Sequence, residues 1–395
     1  MASSAFAGLA SITAGHFLVD LCMGWLPPIL PFMAEHLGMS LALAGTGVAV
    51  VTTVSSFSQP LLGWLGERVG GWGLLPACVL WTSAFTALLG LTRSFTAFVL
   101  VALLAALGSA CFHPLGSVRA GRLFPAHKAK ATSAFTASGS LGFALAPLVA
   151  VPLVLRVGLQ SSLFLLVPGL LVAAGKLYTG RAAATGPAGP AVPRQAGGPA
   201  CYRALAWLQA IMALRHWVAS AFTTFLVWYL MAAGADPTRA AALLSAYLLA
   251  GVAGVVVGGI LNDRFGNLAV LWWSGLVSAA SFTGFLATGG GLQVVSLALA
   301  GAALHAAFPG SIVLAQELLP GSAGMAAGMM MGLTFGVGGL GVAATGWLAN
   351  SLGLGAALGL TVLALGPATL LVPVLRGVGR QRRSQPEGAE LAERG

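Results

Sequence analysis

The chain has 395 residues, of which 58% are hydrophobic and 7% charged, with a mean hydropathy of +0.92. Ordinary globular proteins carry about 25% charged residues, so a water-soluble surface cannot be assembled from this composition and a soluble enzyme is excluded. The net charge of +10 does not point to nucleic acid, because the basic residues lie in short stretches between apolar segments, a signature of membrane topology.

A bilayer core about 30 Å thick needs roughly 20 apolar residues per helix. Cutting the chain at charges and turn residues predicts six such segments at 8–34, 42–66, 73–92, 95–120, 131–155 and 160–178. Six more follow at 204–231, 240–262, 268–288, 292–317, 323–349 and 354–375. The first segment has no basic stretch ahead of it and carries His16 and Asp20 inside it. It therefore reads as a membrane helix and not as a cleaved signal. Between the two sets, Gly186-Pro187-Ala188-Gly189-Pro190 with Pro193, Gly197, Gly198 and Pro199 cannot hold a helix and predicts a flexible linker. The expected plan is thus an all-α membrane protein: a six-helix bundle over 1–178, a linker over 179–203, a second six-helix bundle over 204–375 and a polar tail over 376–395.

Orientation follows from Lys and Arg near the segment ends. One side receives Arg68, Arg119, Arg122, Lys128, Lys130, Lys176, Arg181, Arg194, Arg203, Arg264 and the tail arginines, while the other receives Arg93, Arg156 and Arg239. The first side is expected to be cytoplasmic, with both termini and the linker. Cys22, Cys78, Cys111 and Cys201 include no CxxC pair, and three of them lie in apolar segments as small buried hydrophobes. No metal cluster, phosphate-binding loop or nucleophile elbow is found, so neither a cofactor nor catalysis is expected.

A short motif occurs twice. Gly63-Trp64-Leu65-Gly66-Glu67-Arg68-Val69-Gly70 is matched by Gly259-Ile260-Leu261-Asn262-Asp263-Arg264-Phe265-Gly266, a shift of 259 − 63 = 196. Pro114 and Pro125 recur as Pro309 and Pro320, a shift of 195. A near-constant shift across half the chain means a duplicated unit, and duplicated apolar halves are the plan of secondary transporters.

The acid–Arg motif after segments two and eight resembles the signature of the major facilitator superfamily. Three stretches resemble its fosmidomycin-resistance branch: Gly15-His16-Phe17-Leu18-Val19-Asp20, Phe112-His113-Pro114, and Ala307-Phe308-Pro309 through Gln316-Glu317-Leu318-Leu319-Pro320-Gly321 into Gly336-Val337-Gly338-Gly339-Leu340-Gly341. The chain departs from the superfamily motif where Gly71-Trp72 and Asn267-Leu268 replace two basic residues, and where Glu67 replaces the usual Asp. The resemblance implies two pseudo-symmetric six-helix bundles in the inner membrane of a bacterium. It further implies proton-coupled efflux of a small anionic or amphipathic molecule, such as a fosmidomycin-like antibiotic, by a monomer. An uptake permease and a non-transporting sensor on the same fold are the alternatives.

The resemblance also assigns roles. Glu67 and Asp263, with Gly63, Arg68, Gly259 and Arg264, would dock the two halves: Glu67 against the start of segment eleven near Ser322, and Asp263 against the start of segment five near Ala131. Segments one and four would line the central cavity. Asp20 lies about 12 residues into segment one, roughly 18 Å deep at 1.5 Å per residue. A charge at that depth normally faces a cavity or a partner, and His16 is one turn earlier on the same face. His113 reaches a similar depth ahead of Pro114, which removes a backbone donor and can bend segment four. A proton-carrying cluster of Asp20, His16 and His113 is the expectation. In segment seven, Arg215 lies roughly 16 Å in, and its fork suits a phosphonate or carboxylate; with His216, Arg119 at the cavity mouth, His305 in segment ten and Trp25 it forms the expected substrate set. Glu317 ends segment ten as an acid that could pair with Arg122.

Overall fold

The computed structural model describes residues 2–69, 73–124, 127–183, 201–319 and 323–375. Every regular element among them is helical. In the first half α1 spans Ala2–Leu37, α2 Leu41–Val69, α3 Leu74–Leu88, α4 Phe95–Leu123, α5 Lys128–Val157 and α6 Leu166–Ala183. A 3-10 turn, Leu89–Leu91, follows α3, and another, Leu159–Leu165, leads into α6. In the second half α7 spans Tyr202–Ala232, α8 Pro237–Phe265, α9 Asn267–Ala287, α10 Gly290–Ala306, α11 Phe308–Leu318, α12 Ala323–Leu352, α13 Leu354–Val362 and α14 Leu365–Leu370.

All twelve expected segments are present. Among the described residues eleven spans are long and apolar enough to cross a bilayer. Segment six is built from the Leu159–Leu165 turn and α6, whose described apolar part runs over Leu159–Gly175. Only helices satisfy their own backbone groups in lipid, so most run a few residues past the predicted ends until a local signal stops them. Ser94 caps α4 by accepting from Ala97 N at 3.2 Å. Asp236 caps α8 through Thr238 N at 2.8 Å and Arg239 N at 3.1 Å, with Pro237 opening the helix. Gly158, Gly266 and Gly353 take positive φ after α5, α8 and α12.

One expectation is corrected. Segment ten is not one helix: α10 stops at Ala306 and α11 starts at Phe308 with Pro309 in its first turn. Pro114, by contrast, sits inside the continuous α4. The same residue type sits at a break in one duplicate and inside a continuous helix in the other, and the carbonyls freed in segment ten find donors elsewhere, as described below. Pro125, Pro320, Ser322, Gly71, Trp72, positions 184–200 and 376–395, and the side chain of Glu67 lie outside the described residues.

Each half has its own apolar core. In the first, Trp25, Ile29, Leu30, Met33, Phe98 and Phe112 are wholly buried. In the second, Phe222, Phe225, Tyr247, Phe282 and Phe285 form one cluster, and a smaller one gathers around Leu208, Ile211 and Met330. The halves meet through α2 on α12, α5 on α8 and α1 on α7. Along α2 and α12 the approach is glycine-lined: a Cβ at Gly45 would meet the Val342 carbonyl at 2.8 Å, and one at Gly339 would meet Thr52 at 2.8 Å. Thr53 Oγ1 donates to the Gly336 carbonyl at 3.0 Å. Small residues let membrane helices close to this distance. At the end away from the described termini, Trp228 of α7 packs into the first-half core.

Candidate functional site

Between the halves lies a cavity of about 480 Å³. Its first-half wall includes Asp20 of α1, Thr52, Ser55 and Gln59 of α2, Ser109 of α4, and Ser140 and Phe143 of α5. Its second-half wall includes His216, Ser220, Thr223 and Thr224 of α7, Gly251 of α8, His305 of α10 and Phe335 of α12. Ligand pockets of this size are largely apolar with a few placed polar groups.

Asp20 joins two histidines. Its Oδ1 lies 3.0 Å from His113 Nε2, and its Oδ2 lies 3.3 Å from His16 Nε2. The far nitrogen of each ring is already committed. His113 Nδ1 is 2.7 Å from the Ser109 carbonyl, and His16 Nδ1 is 2.6 Å from the Phe135 carbonyl. A carbonyl can only accept, so both Nδ1 atoms carry hydrogen, which leaves both Nε2 atoms facing the carboxylate. If neither Nε2 bore a proton, two lone pairs would confront the carboxylate oxygens. At least one proton must therefore lie between a histidine and Asp20. The His113–Asp20 line has hydrogen-bond geometry, whereas the buried His16 Nε2 has no aligned partner.

The cluster is held by its neighbours. Phe135 stacks on His16 at 3.9 Å between centroids, and the two imidazoles meet edge to face at 4.9 Å. A Cβ at Gly139 would run into Asp20 Oδ2 and the His16 ring, so this glycine of α5 makes room for the cluster. The three side chains, whose donor atoms lie within 4.8 Å of one another, are also close enough to share a divalent cation; the 3.0 Å separation is that of a shared proton. Sequence reasoning brought His16, Asp20 and His113 together. It missed Ser109 and Phe135, which act through their backbone carbonyls.

The expected substrate set divides. His216 and His305 line the cavity, and Arg215, Arg119 and Trp25 do not. Arg215 is 3% exposed, and its Nη2 donates to Ser274 Oγ at 3.0 Å and to the Leu304 carbonyl at 2.8 Å, with the Ala303 carbonyl at 3.4 Å. Those carbonyls belong to the last turn of α10, where Ala307 N turns to the His305 carbonyl. Asn262 Nδ2 covers the next free carbonyl, that of Ala306, at 3.3 Å. Arg215 and Asn262 thus cap the broken segment ten. Trp25 is wholly buried in the first core.

The motif residues sit at helix ends. A Cβ on Gly63 would meet the Pro114 ring at 3.2 Å, whereas nothing lies within 4 Å of one on Gly259. Arg68 covers the Trp64 ring at 4.1 Å from its centroid, and Arg264 covers Phe265 at 5.3 Å. Asp263 and Glu317 are exposed.

Twelve spans in two halves around a polar cavity, with an ionisable cluster at its wall, define a secondary-transporter class. The family model of the Major Facilitator Superfamily matches residues 12–233 and 208–395, and the chain belongs to that family. It is 29% identical over 371 residues to the fosmidomycin resistance protein of Escherichia coli K12, covering 88% of each chain. It is 30% identical over 351 residues to the uncharacterized MFS-type transporter YfnC of Bacillus subtilis 168, covering 86% of this chain and 85% of that one. Among solved structures it resembles a bacterial homologue of the human lysosomal transporter Spinster in an inward-facing, unoccupied conformation. The TM-score is 0.80 at 17% identity, over 94% of this chain and 97% of that one. The nucleoside transporter NupG gives 0.72 at 17% identity, over 94% and 98%. The chain is a multi-pass membrane transporter of a small molecule, not an enzyme.

Proposed function

We propose that this protein is a proton-coupled exporter of a small amphipathic molecule. It works as a monomer by alternating access in a bacterial inner membrane. Both termini, the linker over 179–203 and the tail over 376–395 face the cytoplasm, as the Lys and Arg distribution supports. The bundles over 1–178 and 204–375 rock about the α2–α12 and α5–α8 contacts, and Glu67 and Asp263 act as matched gate residues at the cytoplasmic ends. The cargo is a small amphipathic antibiotic or metabolite; the drug for which the Escherichia coli relative is named is not carried over to this chain.

The observation that carries this reading is the Asp20–His113 contact at 3.0 Å on the cavity wall. Asp20 faces both the cavity and two histidines whose free nitrogens need protons to approach it. Loading and releasing that proton changes the charge of the wall that cargo meets. The anion-holding role expected of Arg215 is not retained, because its guanidinium is engaged by α10.

The test is flux in proteoliposomes. With an imposed pH gradient, cargo should move against the direction of proton flow, and a protonophore should abolish the movement. Uptake that follows the protons, or flux indifferent to the gradient, overturns the coupling and direction proposed.

A further inference from the structure

The charge inventory of the cavity restricts what it can hold. Among the described residues that line it, Asp20 is the only Asp, Glu, Lys or Arg. Asp20 is already bracketed by His16 and His113. A carboxylate or phosphonate entering here would meet no permanent cation, and an unpaired anion in a low-dielectric cavity is costly.

The second-half wall offers acceptors. His305 Nδ1 lies 2.9 Å from the Gly301 carbonyl, so it carries the hydrogen; among the described residues Nε2 has no hydrogen-bond partner, and in the neutral ring it is a lone pair. Among the described residues neither nitrogen of His216 has a hydrogen-bond partner, and its ring stacks on Phe335 at 4.4 Å between centroids. Both rings are seated against glycines. A Cβ at Gly251 would come within 2.9 Å of His305 Nδ1, and one at Gly338 would come within 2.8 Å of His216. The rings are thereby held in place while their free nitrogens stay available. The duplication points to the same wall: 216 − 20 = 196, so His216 holds in α7 the position that Asp20 holds in α1.

We infer that His305 and His216, backed by Phe335, form the specificity site for cargo with an aromatic or flat apolar body and a hydrogen-bond-donating head, an amine or an alcohol, and that it discriminates against carboxylates and phosphonates. The head donates to His305 Nε2, and the body lies along Phe335 and His216. Amphipathic cargo of this kind matches a cavity whose polar groups are hydroxyls and imidazoles. This rests on the reading of the cavity as the cargo site, and not on proton coupling.

The test uses purified full-length protein in nanodiscs without a gradient, and one indole skeleton with different heads: tryptamine, tryptophol, the trimethylammonium analogue of tryptamine, and indole-3-acetate. Calorimetry should show tryptamine and tryptophol binding about tenfold tighter than indole-3-acetate, a difference of about 1.4 kcal/mol. The trimethylammonium analogue, whose head has charge but no donor, should lose most of that advantage. His305→Leu should shrink the preference to about threefold or less, while His305→Gln, which keeps an acceptor, should retain most of it. Gly251→Ala, which displaces the His305 ring without removing it, should act in the direction of His305→Leu. Equal or tighter binding of indole-3-acetate, an unchanged preference in His305→Leu, or no saturable binding of either donor probe overturns the inference. If neither His305→Leu nor His216→Leu changes the binding of any probe, the cavity assignment itself fails. If both change binding but carboxylates win, only the specificity fails.

Discussion

Arg215 Nη2 donates to the Leu304 carbonyl at 2.8 Å across the boundary between α7 and α10. That contact answers a backbone problem, because segment ten breaks at Ala307 inside the apolar layer and its last carbonyls lose their helical donors. Unsatisfied backbone groups in lipid each cost several kcal/mol. Arg215, reaching from α7, and Asn262, reaching from α8, supply the donors.

The first prediction follows from that role. Arg215→Ala should lower stability by about 2–3 kcal/mol, the scale of hydrogen bonds from a charged donor to buried acceptors. Arg215→Lys should recover part of the loss with its single ammonium. Probe binding to the folded fraction should change little, because the guanidinium does not line the cavity. Thermal unfolding and calorimetry together decide it; normal stability with lost binding would return Arg215 to the cargo site.

The second prediction contrasts two glycines. Gly139 faces Asp20 and His16, whereas Gly259, though part of the duplicated motif, has open space where a Cβ would go. Gly139→Ala should push the carboxylate and imidazole apart and reduce gradient-driven flux about tenfold or more, with expression and insertion retained. Gly259→Ala should leave flux and stability near those of the parent. Equal flux in the two variants would mean that the geometry at Gly139 does not matter.

Why some of this was legible in the sequence and some was not has a physical reason. Apolar length and the two motif copies mark the segments and the duplication directly, since each is a property of the chain alone. Asp20, His16 and His113 were legible because an acid and a histidine one turn apart share a face, and depth can be counted along a helix. The direction of Arg215 was not, because depth says nothing about azimuth, and its acceptors are backbone carbonyls of α10. The break at Ala307 was equally silent: Pro114 and Pro309 are duplicates, yet only one interrupts its helix. One usable signal was under-weighted. The motif shift of 196 lands Asp20 on His216 and not on Arg215, and His216 is the residue that lines the cavity.

The third prediction concerns topology. The Lys and Arg asymmetry places Gly189 in the linker and Gly395 in the tail on the cytoplasmic side. Cytoplasm-active reporter fusions at both should be active, and export-dependent reporters silent. A fusion at Thr288 or Gly289, between α9 and α10, should behave in the opposite way. An external signal at either Gly189 or Gly395 breaks the even helix count of that half.

The fourth prediction tests the proton itself. In the present geometry His113 Nε2 and Asp20 Oδ1 are 3.0 Å apart, with His113 Nδ1 already donating to Ser109. Asn at position 20 can turn its amide N–H toward His113 Nε2, which reproduces the bond made when the cluster holds its proton and prevents its release. Asp20→Asn should therefore abolish gradient-driven transport, by about tenfold or more, while exchange of labelled for unlabelled cargo without a gradient persists. The pH dependence of exchange should flatten, because the group that switches between states has been fixed in one of them. His113→Ala should instead shift the pH profile, since Asp20 keeps His16 Nε2 at 3.3 Å as a partner. A purely structural Asp20 behaves otherwise: Asn would keep the hydrogen bond and leave both assays at parental levels. Gradient-driven flux and counterflow measured side by side on Asp20→Asn separate the two, and full activity in both removes Asp20 from the coupling path.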